Sequence, residues 1–504
     1  MDLADRPIMS FTSAFVPRLR TLSLLISTLP LAMTGCGGGG NADGDDSGGE
    51  SAEESTAEAS STSAGETGMS ESLTLEIREN PYSTIAPWGD VLETDTSEVQ
   101  IEVRKDGALV RTYSAVDSEG DHATWLWGLR SETTYEATAM AVSGSGVELT
   151  SDPVSFTTGA LPEGLPVFEI SDYDPERAHQ GMIVFGTIFG ETPTYVGVDT
   201  EGEVVWYHQI EEQVVPRFNG DVTPLPDGRL FLHRKDGLRI IQPWGEIVFD
   251  EDVEYHHDVE FMSNGNFMLL VHRMEDIDVP TLGGVSNIIV DGIVEMTPAG
   301  ETVREWWGSE HLDTNYYPSQ LSQQGPPYDW THGNAIAYDE ARGRVLLSAR
   351  HLHQVIAINW PSGEVAWALG QGGDFTLDAS TGDWFYAQHA PEPQPDGSVL
   401  LYDNGNERPE SPNFTRGLHV GVDETNMTAE ILWEHRFMPT TPILGDCDRM
   451  ANGNVLMSAG GLLDVSVESP RIIEATGDAA SEVVWQLRLP EGPNLYRATE
   501  IVSF

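Results

Sequence analysis

The hydrophobic positions after residue 165 recur in two alternating signatures, and both predict short antiparallel strands. In the first, a turn is followed by hydrophobic residues that end in a large aromatic residue. In the second, a tight turn built on Asn-Gly, Asp-Gly or Arg-Gly separates two hydrophobic runs, as in a β-hairpin. The aromatic residues are Trp206, Phe249, Trp306, Trp367, Trp433 and Trp485, and the hairpin glycines are Gly228, Gly265, Gly343, Gly397 and Gly453.

Each pair of signatures corresponds to four short strands, which is the content of one propeller blade. Six aromatic copies therefore predict a six-bladed β-propeller over residues 165–504. The closing segment, 497–504, lacks a turn of its own, so we expect it to complete a blade with the first strand, near 181–185. No stretch after residue 160 has the periodicity of a long amphipathic helix, and the predicted fold class is all-β.

Residues 71–160 alternate between apolar and polar positions in short runs, of which 99–103 and 135–142 are the clearest. Glycine-containing turns separate these runs, and their spacing fits a small β-sandwich. The segment Trp127-Gly128-Leu129, followed by Thr133-Thr134-Tyr135, resembles a fibronectin type III domain. We therefore predict a fibronectin-III-like β-sandwich at 71–160, preceding the propeller. No chemistry is visible in it, and we expect it to act as a spacer or support.

The N-terminus has the pattern of an export signal. Three arginines precede an apolar run at 22–33 that is too short to span a membrane as a mature helix. The run ends before Gly35-Cys36, which resembles a bacterial lipoprotein cleavage site. Residues 1–36 are thus predicted to be a signal peptide, Cys36 to carry lipid, and 37–70 to be a disordered acidic Gly/Ser tether. Plain secretion is the alternative, and in either case the protein leaves the cytoplasm.

Charge and cysteine content narrow the possible partners. The formal net charge is −55, which argues against nucleic acid and anionic membrane surfaces as partners. An anionic substrate would need a locally positive pocket. The chain has two cysteines, Cys36 and Cys447, so lipidation of Cys36 would leave no intramolecular disulfide. We expect a lipid anchor in the cell envelope, on the periplasmic or cell-surface side, while the oligomeric state stays open.

Alignment of the repeats on the hairpin glycine places three histidines in register. His257 and His389 each lie eight residues before that glycine, and Gly220 and Gly445 occupy the same position in two other copies. One turn is longer, and there His332 lies eleven residues before the glycine. In a propeller, equivalent positions on the innermost strands form a ring at one level of the central channel. We therefore predict that the three histidines meet on the axis.

The return strand of each hairpin adds a possible cation at the same height, because a hairpin places residues equally far from its turn side by side. Arg350 could reach the axis from there and supply the positive site. Asn334 shares a face with His332 and could orient a ligand or hold a turn. His256 should point away from His257, since neighbouring strand residues face opposite sides. The residues seven after the glycine are Lys235, His272, Arg350, Asn404 and Gly460.

Several local segments carry a resemblance to a known family. They are 255–258 (Tyr-His-His-Asp), 329–334 (Asp-Trp-Thr-His-Gly-Asn), 348–351 (Ser-Ala-Arg-His) and 388–391 (Gln-His-Ala-Pro). Over residues 165–504 the chain resembles the bacterial arylsulfate sulfotransferases, which are six-bladed propellers preceded by a small β-sandwich. The resemblance implies that His389 is transiently sulfated, that His257, His332 and Arg350 are catalytic, and that Asn334 binds substrate.

The resemblance also implies transfer of a sulfuryl group from an aryl sulfate donor to a phenolic acceptor by ping-pong kinetics, with no cofactor and no metal. Two alternatives remain open at this stage. Three histidines around an axis could hold a metal in a metalloenzyme propeller, although a neighbouring arginine argues against it. The protein could also be a non-catalytic surface propeller that binds a sulfated or phenolic ligand.

Overall fold

The structure is a computed structural model. It describes residues 73–503 apart from 93–98, 119–120, 143–145, 190–191, 211–219, 235–236, 315, 317–324, 410–412, 438–439, 462–468 and 491–494. The predicted signal peptide, the tether, the lipidated Cys36 and Lys235 lie outside the described residues. Within these ranges, no helix has the length and apolar character that a membrane crossing requires. All of the described residues belong to one compact unit, Glu71–Phe504.

The first β region lies between residues 74 and 157, within the predicted 71–160. Its strands are antiparallel and hydrogen-bonded in the order β1-β2-β5-β4-β3-β6-β7, with β8 also paired to β6. The predicted fibronectin-III-like character of this region stays a prediction. Its eight strands are β1 (Thr74–Asn80), β2 (Ser83–Leu92), β3 (Val99–Lys105), β4 (Ala108–Ser118), β5 (Asp121–Trp125), β6 (Thr134–Val142), β7 (Glu148–Thr150) and β8 (Val154–Thr157).

Six antiparallel sheets follow, each with four strands in succession, and each is one blade of a propeller. Blade 1 contains β10 (Met182–Phe189), β11 (Thr192–Val198), β12 (Val204–Gln209) and the last strand, β35 (Ala498–Ile501). Blade 2 contains β13 (Val222–Pro224), β14 (Leu230–Arg234), β15 (Gly237–Ile241) and β16 (Ile247–Glu251). Blade 3 contains β17 (Val259–Phe261), β18 (Phe267–Val279), β19 (Gly284–Met296) and β20 (Thr302–Trp307).

The second half of the propeller repeats this plan. Blade 4 contains β22 (Gly333–Asp339), β23 (Arg344–Ala349), β24 (Gln354–Asn359) and β25 (Val365–Gly370). Blade 5 contains β27 (His389–Pro393), β28 (Val399–Asp403), β29 (Thr415–Asp423) and β30 (Thr428–Phe437). Blade 6 contains β31 (Asp446–Arg449), β32 (Val455–Ala459), β33 (Arg471–Ala475) and β34 (Val483–Arg488).

Three short strands are added to these sheets. β21 (Tyr328–Asp329) runs parallel to β19, β26 (Thr376–Leu377) runs parallel to β30, and β9 (Glu169–Tyr173) pairs with β34 at the outer edge of blade 6. One short helix, α1 (Gly308–His311), follows β20. Among the described residues, 3₁₀ turns lie at Pro280–Leu282 and Arg350–Leu352.

The C-terminal strand closes the ring, as the sequence predicts. Met182 to Phe185 of β10 pair with Ala498 to Ile501 of β35, so blade 1 combines both ends of the propeller. Inner strands of neighbouring blades contact one another around the axis, as in β35 with β13, β17 with β22, β22 with β27 and β27 with β31. The predicted all-β, six-bladed propeller is therefore confirmed.

The repeated tryptophans lie on the outermost strands and connect neighbouring blades. The indole N–H of Trp206 in blade 1 donates to the carbonyl of Pro243 in blade 2 (2.8 Å), and that of Trp306 in blade 3 donates to Gly363 in blade 4 (3.0 Å). Equivalent bonds join Trp433 to Thr476 and Trp485 to Thr200. A buried tryptophan needs a partner for its N–H. Four of the six copies of the aromatic signature therefore make the same inter-blade contact.

The first β region packs against blades 1 and 2. The Trp88 and Trp244 rings meet edge to face with centroids 5.3 Å apart, and the guanidinium of Arg130 donates to the carboxylates of Asp199 and Glu201. One apolar core runs from this region into blade 1 and includes the buried Trp206. These contacts are compatible with the expected role as a support.

Candidate active site

The backbone is left-handed at four of the five register positions on the inner strands, and His389 is the exception. φ is 59° at His257 and 46° at His332, and it is 63° and 118° at the register glycines Gly220 and Gly445. Residues with a β-carbon rarely adopt this conformation, and strained backbone persists where surrounding structure enforces it, often at functional sites. The two glycines occupy the position because it requires positive φ, and the two histidines occupy it despite that requirement.

The three predicted histidines and Arg350 come together on the axis. The rings of His257 and His332 meet with centroids 5.3 Å apart. The Arg350 N–H donates to the carbonyl of His332 (3.3 Å), which places the arginine at the same level. His389 is within electrostatic range of both Arg350 and His332. The structure therefore assembles the four residues that the register selected from separate parts of the chain.

The Nδ1 atom of His389 is held by Asn404. Their contact, Nδ1 to Oδ1, is 2.6 Å long, and both side chains are buried. The Asn404 amide nitrogen donates to the carbonyls of Thr441 (2.6 Å) and Leu444 (2.8 Å), which fixes its oxygen towards the histidine. His389 must then carry its proton on Nδ1. Its Nε2, which makes no hydrogen bond to a described residue, carries the lone pair.

The site keeps its inner imidazoles neutral. Burial, followed by the charge of Arg350, lowers the pKa of His389 well below its ordinary value. Burial, followed by the neighbouring His256, does the same to the pKa of His257. At pH 7 both rings are therefore uncharged. A neutral imidazole is the form that can act as a nucleophile or accept a proton.

His332 has a carboxylate partner. Its Nδ1 lies 2.5 Å from Oδ2 of Asp329, which belongs to β21 and is held against the extended hairpin of blade 3. Although burial alone raises the pKa of Asp329, the hydrogen bond and charge of His332 lower it below its ordinary value. The carboxylate places a negative charge beside the imidazolium that forms when His332 takes up a second proton.

Arg350 provides the positive charge that the overall composition lacks. Its Nη2 donates to the carbonyl of Pro442 (3.1 Å). Burial lowers its pKa, and the charges of Glu407 and Asp329 oppose that effect. An arginine remains protonated at pH 7 despite such shifts. A half-buried guanidinium next to neutral imidazoles forms a locally cationic site in a strongly acidic protein.

Asn334 is fully buried beside the same strand. Its amide nitrogen donates to the carbonyl of Gln388 (2.8 Å), the residue before His389. The Tyr496 hydroxyl lies 3.4 Å from the carbonyls of Asn334 and His257. These contacts give Asn334 a clear part in positioning the strand of His389. Its predicted contact with substrate stays a prediction.

Two histidines outside the register, His256 and His351, belong to the cluster. We expected His256 to point away, but its Nδ1 lies 2.9 Å from Nδ1 of His257. That expectation assumed strand alternation, and it is wrong because His257 is left-handed and lies before β17 rather than within it. His351 packs on His332 with ring centroids 4.6 Å apart and contacts the Asp329 carbonyl through Nδ1 (2.9 Å).

Metal-binding geometry is limited to two groups among the described residues, and neither contains the three channel histidines together. One group is Asp329, His332 and His351, and the other is Asp221, His233 and Asp258. In the second group the guanidinium of Arg497 donates to both aspartates, at 2.9 Å each. That position is therefore already filled by a cation of the chain itself.

Comparison with known proteins decides the family. Residues 169–497 match the sequence family described as arylsulfotransferase (ASST), which is well over half of the chain. The chain belongs to the arylsulfotransferase family. The matched region contains all four axial residues, and it leaves the first β region outside.

Individual relatives of this arylsulfotransferase family member are distant. The arylsulfate sulfotransferase AssT of Escherichia coli O6:H1 (strain CFT073) is 26% identical over 175 residues, and the match covers 27% of this chain and 28% of the relative. The match thus spans well under two thirds of that relative's length. A protein of unknown function from Bacteroides caccae gives a TM-score of 0.38 at 12% identity, over 62% of this chain and 94% of that one. The periplasmic gluconolactonase PpgL of Pseudomonas aeruginosa gives a TM-score of 0.35 at 12% identity, over 64% of this chain and 97% of that one. With TM-scores this low, the propeller assignment rests on the sheet topology.

Beyond the histidines, the channel continues into a cavity of about 560 Å³, here called the axial cavity. Arg497 stands at the boundary, bound to Asp221 and Asp258. The sequence signal for this boundary was the aspartate that directly follows Gly220, His257 and Gly445. The acidic and basic residues that line the axial cavity are Asp258, Glu260, Glu392, Asp446, Asp448, Arg449, Arg497 and Glu500.

Proposed function

We propose that this protein transfers a sulfuryl group from an aryl sulfate to a phenolic acceptor through a sulfohistidine on His389. The observation that carries the proposal is the fixed tautomer of His389. Asn404 holds Nδ1–H, so the lone pair on Nε2 is available for attack on sulfur. Membership of the arylsulfotransferase family supports the sulfuryl donor chemistry. The finer steps are our own.

In the first half-reaction, Nε2 of His389 attacks the sulfur of the aryl sulfate. The N–S bond forms, the S–O bond to the aryl group breaks, and the electron pair leaves with the phenolate oxygen. Sulfuryl transfer, like phosphoryl transfer, places charge on the equatorial oxygens, so cationic contacts stabilise the transition state. Arg350 is suited to that contact, since its fork of N–H donors matches an oxyanion.

The leaving phenolate takes a proton from an imidazole, for which His332 is the best candidate because Asp329 stabilises its cation. The sulfated ring of His389 carries a positive charge balanced by the sulfonate. Its Nδ1–H then donates more strongly to Asn404 than before, because a charged donor makes the stronger hydrogen bond.

The second half-reaction reverses the first with a new phenol. A neutral imidazole, His332 in this assignment, removes the proton of the acceptor hydroxyl. The oxygen attacks sulfur, the N–S bond breaks, and its electron pair returns to Nε2 of His389. The result is an aryl sulfate of the acceptor and the starting enzyme, so no external nucleotide or oxidant is required.

The test is a chromogenic aryl sulfate assayed with and without an added phenol. We expect release of the chromophore to depend on the phenol, and rapid quenching with donor alone to leave one sulfuryl group on His389, detected by peptide mass spectrometry. His389→Asn should lower turnover by at least about 10⁴-fold. The matched control is His419→Asn, a histidine of the same blade that bonds Ser398 (2.6 Å) away from the axis. Full turnover by His389→Asn would remove the sulfohistidine, and release in water alone would indicate a sulfatase.

We further propose that the protein is exported and anchored by lipid on Cys36, on the basis of the apolar run and the Gly35-Cys36 site. Expression in a bacterial host with a labelled fatty acid should place label on the wild-type chain and none on Cys36→Ser. Label that persists in Cys36→Ser would contradict the anchor.

A further inference from the structure

A buried carboxylate outside the register links two of the channel histidines. Asp291 lies on β19 and is 3% exposed. Its Oδ2 accepts hydrogen bonds from the Thr331 hydroxyl and from the Gly333 N–H (2.5 Å). Its Oδ1 lies 3.3 Å from Nε2 of His256. Asp291 thus joins the segment around His256 in blade 3 to the loop before blade 4.

The contacts of Asp291 keep it charged. Burial by itself raises its pKa, but the interaction with His256 and the donors Thr331 and Gly333 lower the pKa below its ordinary value. A buried carboxylate is costly to the fold unless several donors face it. The carboxylate is therefore ionised at neutral pH, and it can only accept hydrogen bonds.

An acceptor at Asp291 determines the direction of the hydrogen bonds that follow. Because the carboxylate lies 3.3 Å from Nε2, a neutral His256 places its proton on Nε2 rather than on Nδ1. In this neutral ring Nδ1 is an acceptor, and the 2.9 Å contact with Nδ1 of His257 requires the proton on His257. His257 therefore has the Nδ1–H tautomer, and its lone pair is on Nε2. A neutral His257 of this kind accepts a hydrogen bond and cannot donate to a sulfonate oxygen.

The other oxygen of Asp291 acts on the second histidine. Thr331 and Gly333 flank His332, whose φ of 46° is a strained conformation for histidine. Fixing the residues on both sides enforces that conformation. The approach is close, because a β-carbon on Gly333 would lie 3.1 Å from Oδ2 of Asp291.

We propose that Asp291 is a positioning residue for both histidines: through His256 it fixes His257 as a hydrogen-bond acceptor, and through Thr331 and Gly333 it holds His332 in its left-handed conformation. This gives His257 the role of a hydrogen-bond acceptor that orients the acceptor hydroxyl, while His332 takes its proton. The kinetic consequence rests on the proposed function, whereas the tautomer does not.

Asp291→Asn provides a sharp test, since the donors on Thr331 and Gly333 require the amide oxygen at the Oδ2 position. The amide nitrogen must then face Nε2 of His256 and donate to it. This reverses the chain of hydrogen bonds and moves the proton of His257 to Nε2. Nitrogen-15 NMR of histidine-labelled, full-length protein distinguishes the two tautomers, and the spectrum of His257→Gln identifies the signal of His257.

We expect the Nδ1–H tautomer of His257 in the wild type and the Nε2–H tautomer in Asp291→Asn. Turnover should fall by about 10² to 10⁴-fold, the range typical of a catalytic histidine in the wrong tautomer, with a smaller change in KM. An unchanged tautomer in Asp291→Asn overturns the proposal even if turnover falls. Absence of sulfuryl transfer in the wild type would instead remove the proposed function and leave the tautomer result standing.

Two further variants keep the test decisive if Asp291→Asn does not fold. His256→Leu retains the contacts of Asp291 with Thr331 and Gly333, and it should leave His257 with a mixture of tautomers. A pure Nδ1–H signal there would contradict the link through His256. Thr331→Val removes one donor beside His332 and should lower turnover by about 10-fold without changing the tautomer of His257. Turnover equal to that of the wild type would contradict the second role.

The matched control is Glu295→Gln. Glu295 is a buried carboxylate on the same strand, bonded to Asn266, Arg304 and Trp360 at the other end of blade 3. Loss of the Glu295 charge should lower the free energy of unfolding. The tautomer of His257 and the pH profile of turnover should stay as in the wild type. A purely structural role of Asp291 predicts the same pattern for Asp291→Asn.

Discussion

The inner strands carry opposite chemistry at their two ends. At one end, the histidine end, His257, His332 and His389 face a guanidinium, and each anion there is met by donors. At the other end, the axial cavity is lined by six carboxylates and two arginines. In three blades an aspartate directly follows the register position, and these residues are Asp221, Asp258 and Asp446. A net charge of −55 therefore says little about the potential at a particular depth of the channel.

Arg497 separates the two ends. Its guanidinium binds Asp221 and Asp258 on the acidic side, and its charge contributes to the low pKa of His389 on the other. The C-terminal strand thus closes the ring. The residue before it, Arg497, places a cation between the histidine end and the carboxylates of the axial cavity. The variants that follow each alter one of these two ends or the boundary between them.

After His389→Asn, the largest effect is expected from Arg350→Ala, which removes the cation of the histidine end. Turnover with an aryl sulfate should fall by about 10³-fold, the loss that follows removal of a main oxyanion contact. Steady-state kinetics measure it. Arg342→Ala is the matched control, because Arg342 lies in the same blade but bonds Asp339 and the Pro395 carbonyl on the surface. A loss below about tenfold would show that the sulfonate is bound elsewhere.

Arg497→Met should remove the cation that lies between the histidine end and the axial cavity. It leaves the buried Asp221 and Asp258 without their counter-ion, and breaking a buried ion pair from one side costs about 3–5 kcal/mol. Denaturant unfolding should show this loss, whereas Arg488→Met, at an exposed position on β34, should show almost none. A loss under about 1 kcal/mol would mean that water or the other carboxyls replace the guanidinium.

Asn404→Leu sharpens the comparison within the histidine end. It removes the acceptor for Nδ1 of His389, so the ring can populate the tautomer with a proton on the attacking nitrogen. Turnover should fall by about 10–100-fold, as is usual when the partner of a functional histidine is lost. The nitrogen-15 signal of His389 should change with it. The exposed Asn426→Leu in the same blade is the control. Lower turnover with an unchanged tautomer would assign Asn404 a purely structural role through Thr441 and Leu444.

The repeats were sufficient to predict the propeller, its closure and the residues that converge. Register gives the depth of a residue along a strand, which is why His257, His332, His389 and Arg350 could be selected. It does not give side-chain direction where the backbone leaves the extended conformation, and for this reason the position of His256 was predicted wrongly. The glycines in two copies were the available signal for that left-handed backbone.

Partners that lie outside the register could not be found from one sequence. Asp291 lies on the third strand of its blade, opposite His272, and its contacts cross to another blade through Thr331 and Gly333. Arg497 reaches the axis only because the C-terminal strand returns to blade 1. Asn404 was placed at the right height, but its link to His389 depends on the carbonyls of Thr441 and Leu444, which no local pattern indicates.

The smallest effect is expected at the acidic end, from Asp446→Asn. Asp446 is 6% exposed, and burial raises its pKa to about 7. Because the folded state binds this proton more tightly than the unfolded chain does, the stability it contributes is complete below about pH 4 and is lost as the pH rises through 7. Asparagine cannot ionise, so the variant should match the wild type near pH 4.5 and exceed it by on the order of 2 kcal/mol at pH 8.

Denaturant unfolding of Asp446→Asn at pH 4.5, 6 and 8 measures this difference, with Asp152→Asn, an exposed carboxylate of the first β region, as the control. Sulfuryl transfer should be retained, because Asp446 lies in the axial cavity beyond Arg497 and contributes no group to the histidine end. A stability difference that does not grow with pH would mean that Asp446 is already paired or hydrated in the folded protein. A large loss of turnover would show that the two ends act together, since a change confined to the carboxylates would then alter the chemistry of the histidines.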